Sequence, residues 1–175
     1  MSDLRYPIGK FQPPEKISDE MRKELIQQIS EAPARLRDAV KGLSEDQLEV
    51  QYRPGGWTVR QVVHHLPDSH LNAYVRFKLA ITETVPLIRP YDEGSWAEVH
   101  DARLAPIEMS LMMLESLHQR WVFCLHSMEG RDFSRKFRHP ERGLMDIGKL
   151  VALYAWHGRH HVAHITSLRE RMGWK

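Results

Sequence analysis

The chain carries eleven histidines among its 175 residues, and they are not scattered. His64, His65 and His70 fall in one short segment, and His157, His160, His161 and His164 in another. A neutral imidazole offers a lone pair to a divalent metal, so clusters of this kind point first to metal coordination. His157/His161 and His160/His164 are spaced i, i+4, and His161/His164 i, i+3. On a helix each pair shares one face and can reach a common ion at about 2.0–2.1 Å. Advancing about 100° per residue from Leu150, Leu168 returns to the start and Tyr154 and Met172 fall about 40° away. His157 and His161 then lie within about 20° of the middle of this apolar stripe, with His164 about 40° and His160 about 80° off it.

Polar rings in an apolar stripe need a reason to be there. An imidazole left unpaired in a core costs on the order of 1–3 kcal/mol. A hydrogen-bonded core network removes that cost, and this is the plain reading of His70 or His118 standing alone. A metal removes it for neighbouring rings together. Spacing does not choose among the pairs. A third ligand should come from a facing helix, where, relative to Val62, His65 projects to about −60°, at the flank of the buried stripe. His70, at about +80°, is on the buried face, and His64, at about 200°, points to solvent.

The elements that must position these rings are helices. Residues 1–17, with Pro7, Pro13 and Pro14, read as an extended arm. Ser18 caps a first helix, with Asp19 and Glu20 in its first turn and Leu25, Ile29, Leu36 and Val40 at helical spacing up to Gly42. Pro33 inside that pattern predicts a kink or break. Thr58 and Gln61 form a capping box for a second helix, whose stripe Val62, Leu66, Ala73, Phe77 and Ala80 continues toward residue 84, with Trp57 placed as a staple on Val62. A third helix starts near Pro106 and runs through Leu111, Leu114 and Trp121 to Met128–Gly130. The fourth spans about residues 146–172, with Leu150, Leu153, Tyr154, Ile165, Leu168 and Met172 inward and Gly173 after it. No alternating pattern is long enough for a sheet. The expectation is an all-α single domain over 1–175: a four-helix bundle with a long loop, 85–105, between the second and third helices, within which Glu93–Val99 fits a short helix.

Composition narrows the class of function. A hydrophobic content of 42% with 27% charged residues is that of a globular chain. No apolar run approaches a membrane span and no signal-peptide layout is present, which predicts a cytoplasmic protein with no membrane partner. The single Cys124 excludes an intramolecular disulfide and a Cys-rich zinc cluster, and reads as packing in the third helix. A net charge of +2 is weak evidence for nucleic acid, and none is expected.

Three stretches are distinctive together: residues 52–66, from Tyr52-Arg53-Pro54-Gly55-Gly56-Trp57-Thr58 to His64-His65-Leu66; Arg89-Pro90-Tyr91-Asp92-Glu93; and residues 156–165, Trp156-His157-Gly158-Arg159-His160-His161-Val162-Ala163-His164-Ile165. With Tyr6-Pro7-Ile8-Gly9 and Arg171-Met172-Gly173-Trp174, they resemble the YfiT-like proteins of the DinB superfamily over essentially the whole chain. The resemblance implies a four-helix bundle, a homodimer, and one divalent metal per subunit, zinc or nickel, held by three histidines. Carried over residue by residue, those ligands are His65, His157 and His161, with His160 and His164 supporting or packing. Pro67 departs from the family pattern, where a small helix former is expected two residues after His65; it removes the amide that would bond Val63.

Three neutral imidazoles leave a metal position open, the arrangement of a catalytic site. The nucleophile would be metal-bound water, making a metal-dependent hydrolase, or a metal-bound low-molecular-weight thiol, making a bacillithiol-type S-transferase acting on small molecules. A metal-binding stress protein without turnover is the non-enzyme alternative. Asp68, one turn past His65, is a weak candidate for a general base. The run Arg131, Arg135, Lys136, Arg138 and Arg142 reads as a charged loop or as a dock for an anionic cosubstrate. Trp57, Trp96, Trp121 and Trp156 read as core or pocket wall.

Overall fold

The computed structural model describes residues 3–174. Ser18 Oγ accepts from the Met21 amide at 3.1 Å and starts α1, Asp19–Val40. Pro33 lies inside α1 without ending it, so the predicted break does not occur. The Pro33 ring is buried with Ile29, Ala32 and Leu36, and packing of that face outweighs the one hydrogen bond the proline removes. A second capping box, Ser44 with Gln47, begins the short α2, Glu45–Leu48. It was not foreseen, although the Ser-x-x-Gln signature stands in the sequence.

Thr58 and Gln61 close the predicted capping box of α3, Val59–Thr82, and Pro67 sits buried within that continuous helix. The long connection holds α4, Glu93–Ala97, where a short helix is expected, and α5, His100–Leu104. The third bundle helix, α6, is Ile107–His126, capped at Pro106, and the fourth, α7, is Ile147–Met172, ending at Gly173 with φ 66°. Among the described residues no helix is long and apolar enough to cross a membrane.

A small antiparallel hairpin stands where no strand is expected: β1, Lys136–His139, pairs with β2, Gly143–Asp146. Four-residue strands are too short for a legible alternation; only burial of Phe137 and His139 on one face records it. The hairpin has a structural task. Ile88 donates to the Arg138 carbonyl at 3.0 Å and Arg138 donates to Pro86 O at 2.8 Å, strapping the long connection to β1.

Packing joins α1 to α6 and α7, and α3 to α6 and α7, so α1 lies diagonally opposite α3, and α6 opposite α7. Two apolar clusters fill the interior. One gathers Ile29, Phe77, Trp121, Phe137 and Leu150; the other gathers Leu36, Val62, Leu66, Leu114 and Ile165. Between the clusters α3, α6 and α7 place buried histidines, including His70, His118 and His161. Met172 was expected inward but is 53% exposed; the contact with the second cluster at this end of the chain is made instead by Trp174.

Trp121 contributes to the first cluster from full burial, whereas Phe123, two residues on, is 82% exposed. Trp121→Ala is expected to cost about 3–5 kcal/mol. Phe123→Ser should stay within about 0.5 kcal/mol of wild type, both read from urea unfolding midpoints.

Candidate metal centre

α3 and α7 pack side by side, and their facing sides carry His65 and the pair His157/His161. One ring nitrogen from each of the three lies within 4.8 Å of the others. His65 Nε2 and His157 Nε2 are 3.4 Å apart. Two nitrogens bound to one tetrahedral metal at about 2.0–2.1 Å stand about 3.3–3.4 Å apart, so that separation suits a shared ion. His161 Nδ1 is buried with no hydrogen-bond partner, a further sign that protein groups alone do not satisfy the trio. The donor set, three imidazole nitrogens, fits a divalent metal cation.

The rings are held uncharged, as ligands must be. Burial pushes the His65 imidazole down to about 3, with the neighbouring His160 and His164 adding to the effect. Burial likewise holds His157 and His161 well below the usual imidazole range, reinforced by the other rings of the cluster. Trp57 covers the site, its ring centroid 4.6 Å from that of His65 and 6.3 Å from that of His161. Gly158 lets α7 lie close, since a Cβ there would stand 3.1 Å from Ala32 Cβ and 3.7 Å from His70 Cε1.

The other histidines have separate duties. His64, expected in solvent, is buried: its Nε2–H donates to the Ala105 carbonyl at 3.0 Å and its Nδ1 accepts from Ser110 Oγ at 2.7 Å. The helical projection saw only the bundle core; the face opposite is covered by α5 and the start of α6, which no periodicity in α3 reveals. His70 stays outside the trio, with its Nε2 3.2 Å from His157 Nδ1. His118 Nδ1–H donates to the Ile29 carbonyl at 2.6 Å, the core hydrogen bond expected of it, and its Nε2 is 2.8 Å from His70 Nδ1. His160 stacks on Trp156, and His164 stacks on Tyr52 while its Nε2–H donates to Arg5 O at 3.1 Å. These two rings, with Phe11 against Trp156, dock the N-terminal arm along α7.

A cavity of about 350 Å³ opens beside the trio. Trp57, Trp156, Tyr154, Leu150 and Phe137 supply its apolar wall, Glu93 and Glu141 its carboxylates, and Arg76, Arg142 and His139 its cationic or basic groups. Asp68 is not among the lining residues; burial and the nearby Asp101 push its carboxyl up to about 6. Of the basic run only Arg142 reaches the cavity, while Arg135 caps α3 by donating to Ala80 O at 2.9 Å and Glu83 O at 3.3 Å. Trp121 is core, and Trp96 is exposed against Tyr91. Cys124 is half-buried in α6, packed on the first cluster. Sequence reasoning missed Arg76, Ser69, His139 and Glu141 as cavity residues; Pro90, Tyr91 and Glu93 had a signal, in the Arg-Pro-Tyr-Asp-Glu stretch.

Three imidazoles at a cavity between two helices of a bundle define a helical protein with a candidate mononuclear metal centre. The chain belongs to the DinB superfamily, whose model matches residues 28–165. A protein of Bacillus cereus (strain 03BB102) with the provisional name metal-dependent hydrolase is 55% identical over 174 residues, covering 99% of this chain and 100% of that one. A relative from Bacillus thuringiensis subsp. konkukian (strain 97-27) matches to the same extent. The structure of YfiT from Bacillus subtilis, described as a probable metal-dependent hydrolase with an unusual four-helix bundle topology, superposes with a TM-score of 0.96. The two share 48% identity over 98% of this chain and 99% of that one.

The depressed imidazoles make stability pH-dependent. In the metal-free protein His118, His160 and His164, held at about 4, and His65, at about 3, stay neutral where the unfolded chain takes up protons. The unfolded state therefore binds more protons between those values and about 6.5, and stability falls as pH drops through that window. Each extra proton contributes about 1.4 kcal/mol per pH unit. Urea midpoints measured from pH 7.5 to 4.5 should decline steadily below about pH 6.5; a flat profile would contradict the buried neutral assignment.

Proposed function

We propose that this protein is a hydrolase that holds one divalent metal, zinc or nickel, through His65, His157 and His161. The convergence of three uncharged imidazoles, His65 and His161 buried and His157 partly so, beside a cavity carries this reading. When bound, the ion supplies Lewis acidity and brings the pKa of a coordinated water toward neutrality. The three histidines would hold the ion and leave room on the cavity side for a further ligand. Trp57, Trp156 and Phe137 exclude bulk water and receive the apolar part of a substrate. Glu93 and Glu141 are the lining carboxylates and so the candidates for taking up a proton.

A second reading, S-transfer of an anionic low-molecular-weight thiol, is favoured by one observation: Arg76 and Arg142 both line the cavity and can pair with a carboxylate or phosphate. The homodimer implied by family likeness completes the proposal, and light scattering at micromolar concentration should give twice the 20.5 kDa chain mass.

Elemental analysis of protein purified without a His-tag should give about one divalent metal per chain, and chelator should lower the melting temperature. His65→Ala and His161→Ala should lose the metal and His64→Ala keep it. Metal-free wild type with an unchanged melting temperature in chelator would sink the proposal. With metal present, turnover of an ester panel supports the hydrolase, and turnover only with a small thiol plus a chromogenic electrophile supports the transferase. Inactivity in both leaves metal binding without catalysis.

A further inference from the structure

Behind the trio lies a continuous row of polar atoms. It begins at the Ile29 carbonyl in α1, passes through His118 in α6 and His70 in α3, and ends at His157 in α7, with steps of 2.6, 2.8 and 3.2 Å. Beyond it His157 Nε2 faces His65 Nε2 at 3.4 Å. Every bundle helix contributes one member.

We infer that this row sets the tautomer of His157, so that the carbonyl of Ile29, acting through the positioning residues His118 and His70, presents the His157 Nε2 lone pair to the metal. The inference rests on the metal reading above, but the row can be examined without metal.

The direction of each hydrogen bond follows from its first member. A carbonyl only accepts, so His118 carries its proton on Nδ1. A neutral ring has one N–H, which leaves His118 Nε2 as an acceptor, and His70 must therefore donate from Nδ1. His70 Nε2 then accepts, and His157 must donate from Nδ1. Its remaining lone pair is on Nε2, the atom turned toward His65. One additional proton on His118 or His70 would set N–H against N–H, and reversing any ring would orphan a buried donor or acceptor.

The first member is free for a covalent reason. In an α-helix the Ile29 carbonyl would accept from the amide of residue 33, and residue 33 is proline, which has none. Pro33, read from sequence as a helix breaker, instead releases a buried acceptor toward His118. Metal-bound histidines generally rely on such an outer partner, a carboxylate or carbonyl on the far ring nitrogen. Here two further imidazoles stand between the ligand and its carbonyl.

The experiment is long-range 1H–15N correlation on uniformly 15N-labelled, metal-free protein at pH 7.5. His118, His70 and His157 should each show the Nδ1–H form, which is the less common one in free histidine. His64, whose Nε2–H is held by Ala105 O, serves as the opposite reference within the same spectrum. An Nε2–H form at any of the three overturns the inference. His118→Phe keeps a ring but cuts the row from its carbonyl, so His157 should become a tautomer mixture and the Kd for zinc should rise about 10–100-fold. The exposed His126→Phe should change neither. A His118→Phe protein that is folded by circular dichroism, keeps His157 wholly Nδ1–H and binds zinc as wild type does would also overturn it. If His118→Phe does not fold, the wild-type tautomers decide. Wild type that binds no zinc would overturn the metal reading, and the spectra would still judge the row.

Discussion

Burying imidazoles between two apolar clusters is the constraint on which the rest of this structure depends. Each ring brings two nitrogens out of water, and each nitrogen without a partner costs on the order of 1–3 kcal/mol. The bundle meets that demand by aligning acceptors and donors across all four long helices at one level. His118 and His70 are closed against Ile29 O and against each other. His65, His157 and His161 turn ring nitrogens toward one point, and there the protein supplies no closing group. That convergence is what makes the trio a candidate metal centre.

Features that look like faults in isolated helices are explained by that layer. A proline in the middle of α1 costs a backbone hydrogen bond, yet the carbonyl it strands is the anchor of the histidine row. A glycine in the middle of α7 lowers helix propensity, yet a side chain at Gly158 would press on Ala32 and approach His70. Pro67, two residues past His65, is absorbed within a continuous, buried α3. The diagonal order of the bundle matters too. It sets α3 beside both α6 and α7, which is what lets His70 touch His118 on one side and His157 on the other.

The segments outside the bundle close the site. The N-terminal arm docks on His160 and His164, so that histidines next to the candidate ligands are engaged in stacking. The long connection, strapped to β1, brings Pro90, Tyr91 and Glu93 to the cavity, and the hairpin brings Phe137, His139 and Arg142. Arg60, buried beneath Glu45 and Glu49, fastens α2 to α3 and donates to Ala105 O at 3.0 Å. Because both carboxylates are largely exposed, that pairing contributes placement more than stability.

The sequence by itself determined the four long helices, the caps at Ser18 and Thr58, and the short helix near Glu93, since these depend on local periodicity and on side chains reaching their own backbone. It also marked His157 and His161 as inward, because their phase within α7 is a property of that helix alone. Only the tertiary structure decided the rest. Whether His64 meets water depends on α5 and α6, far along the chain, covering the outer face of α3. Which of His65 and His70 joins the trio depends on how α3 is set against α7, and the role of Pro33 depends on a histidine in α6. Each is a contact between elements distant in sequence, and a helical phase carries no record of what packs on its far side.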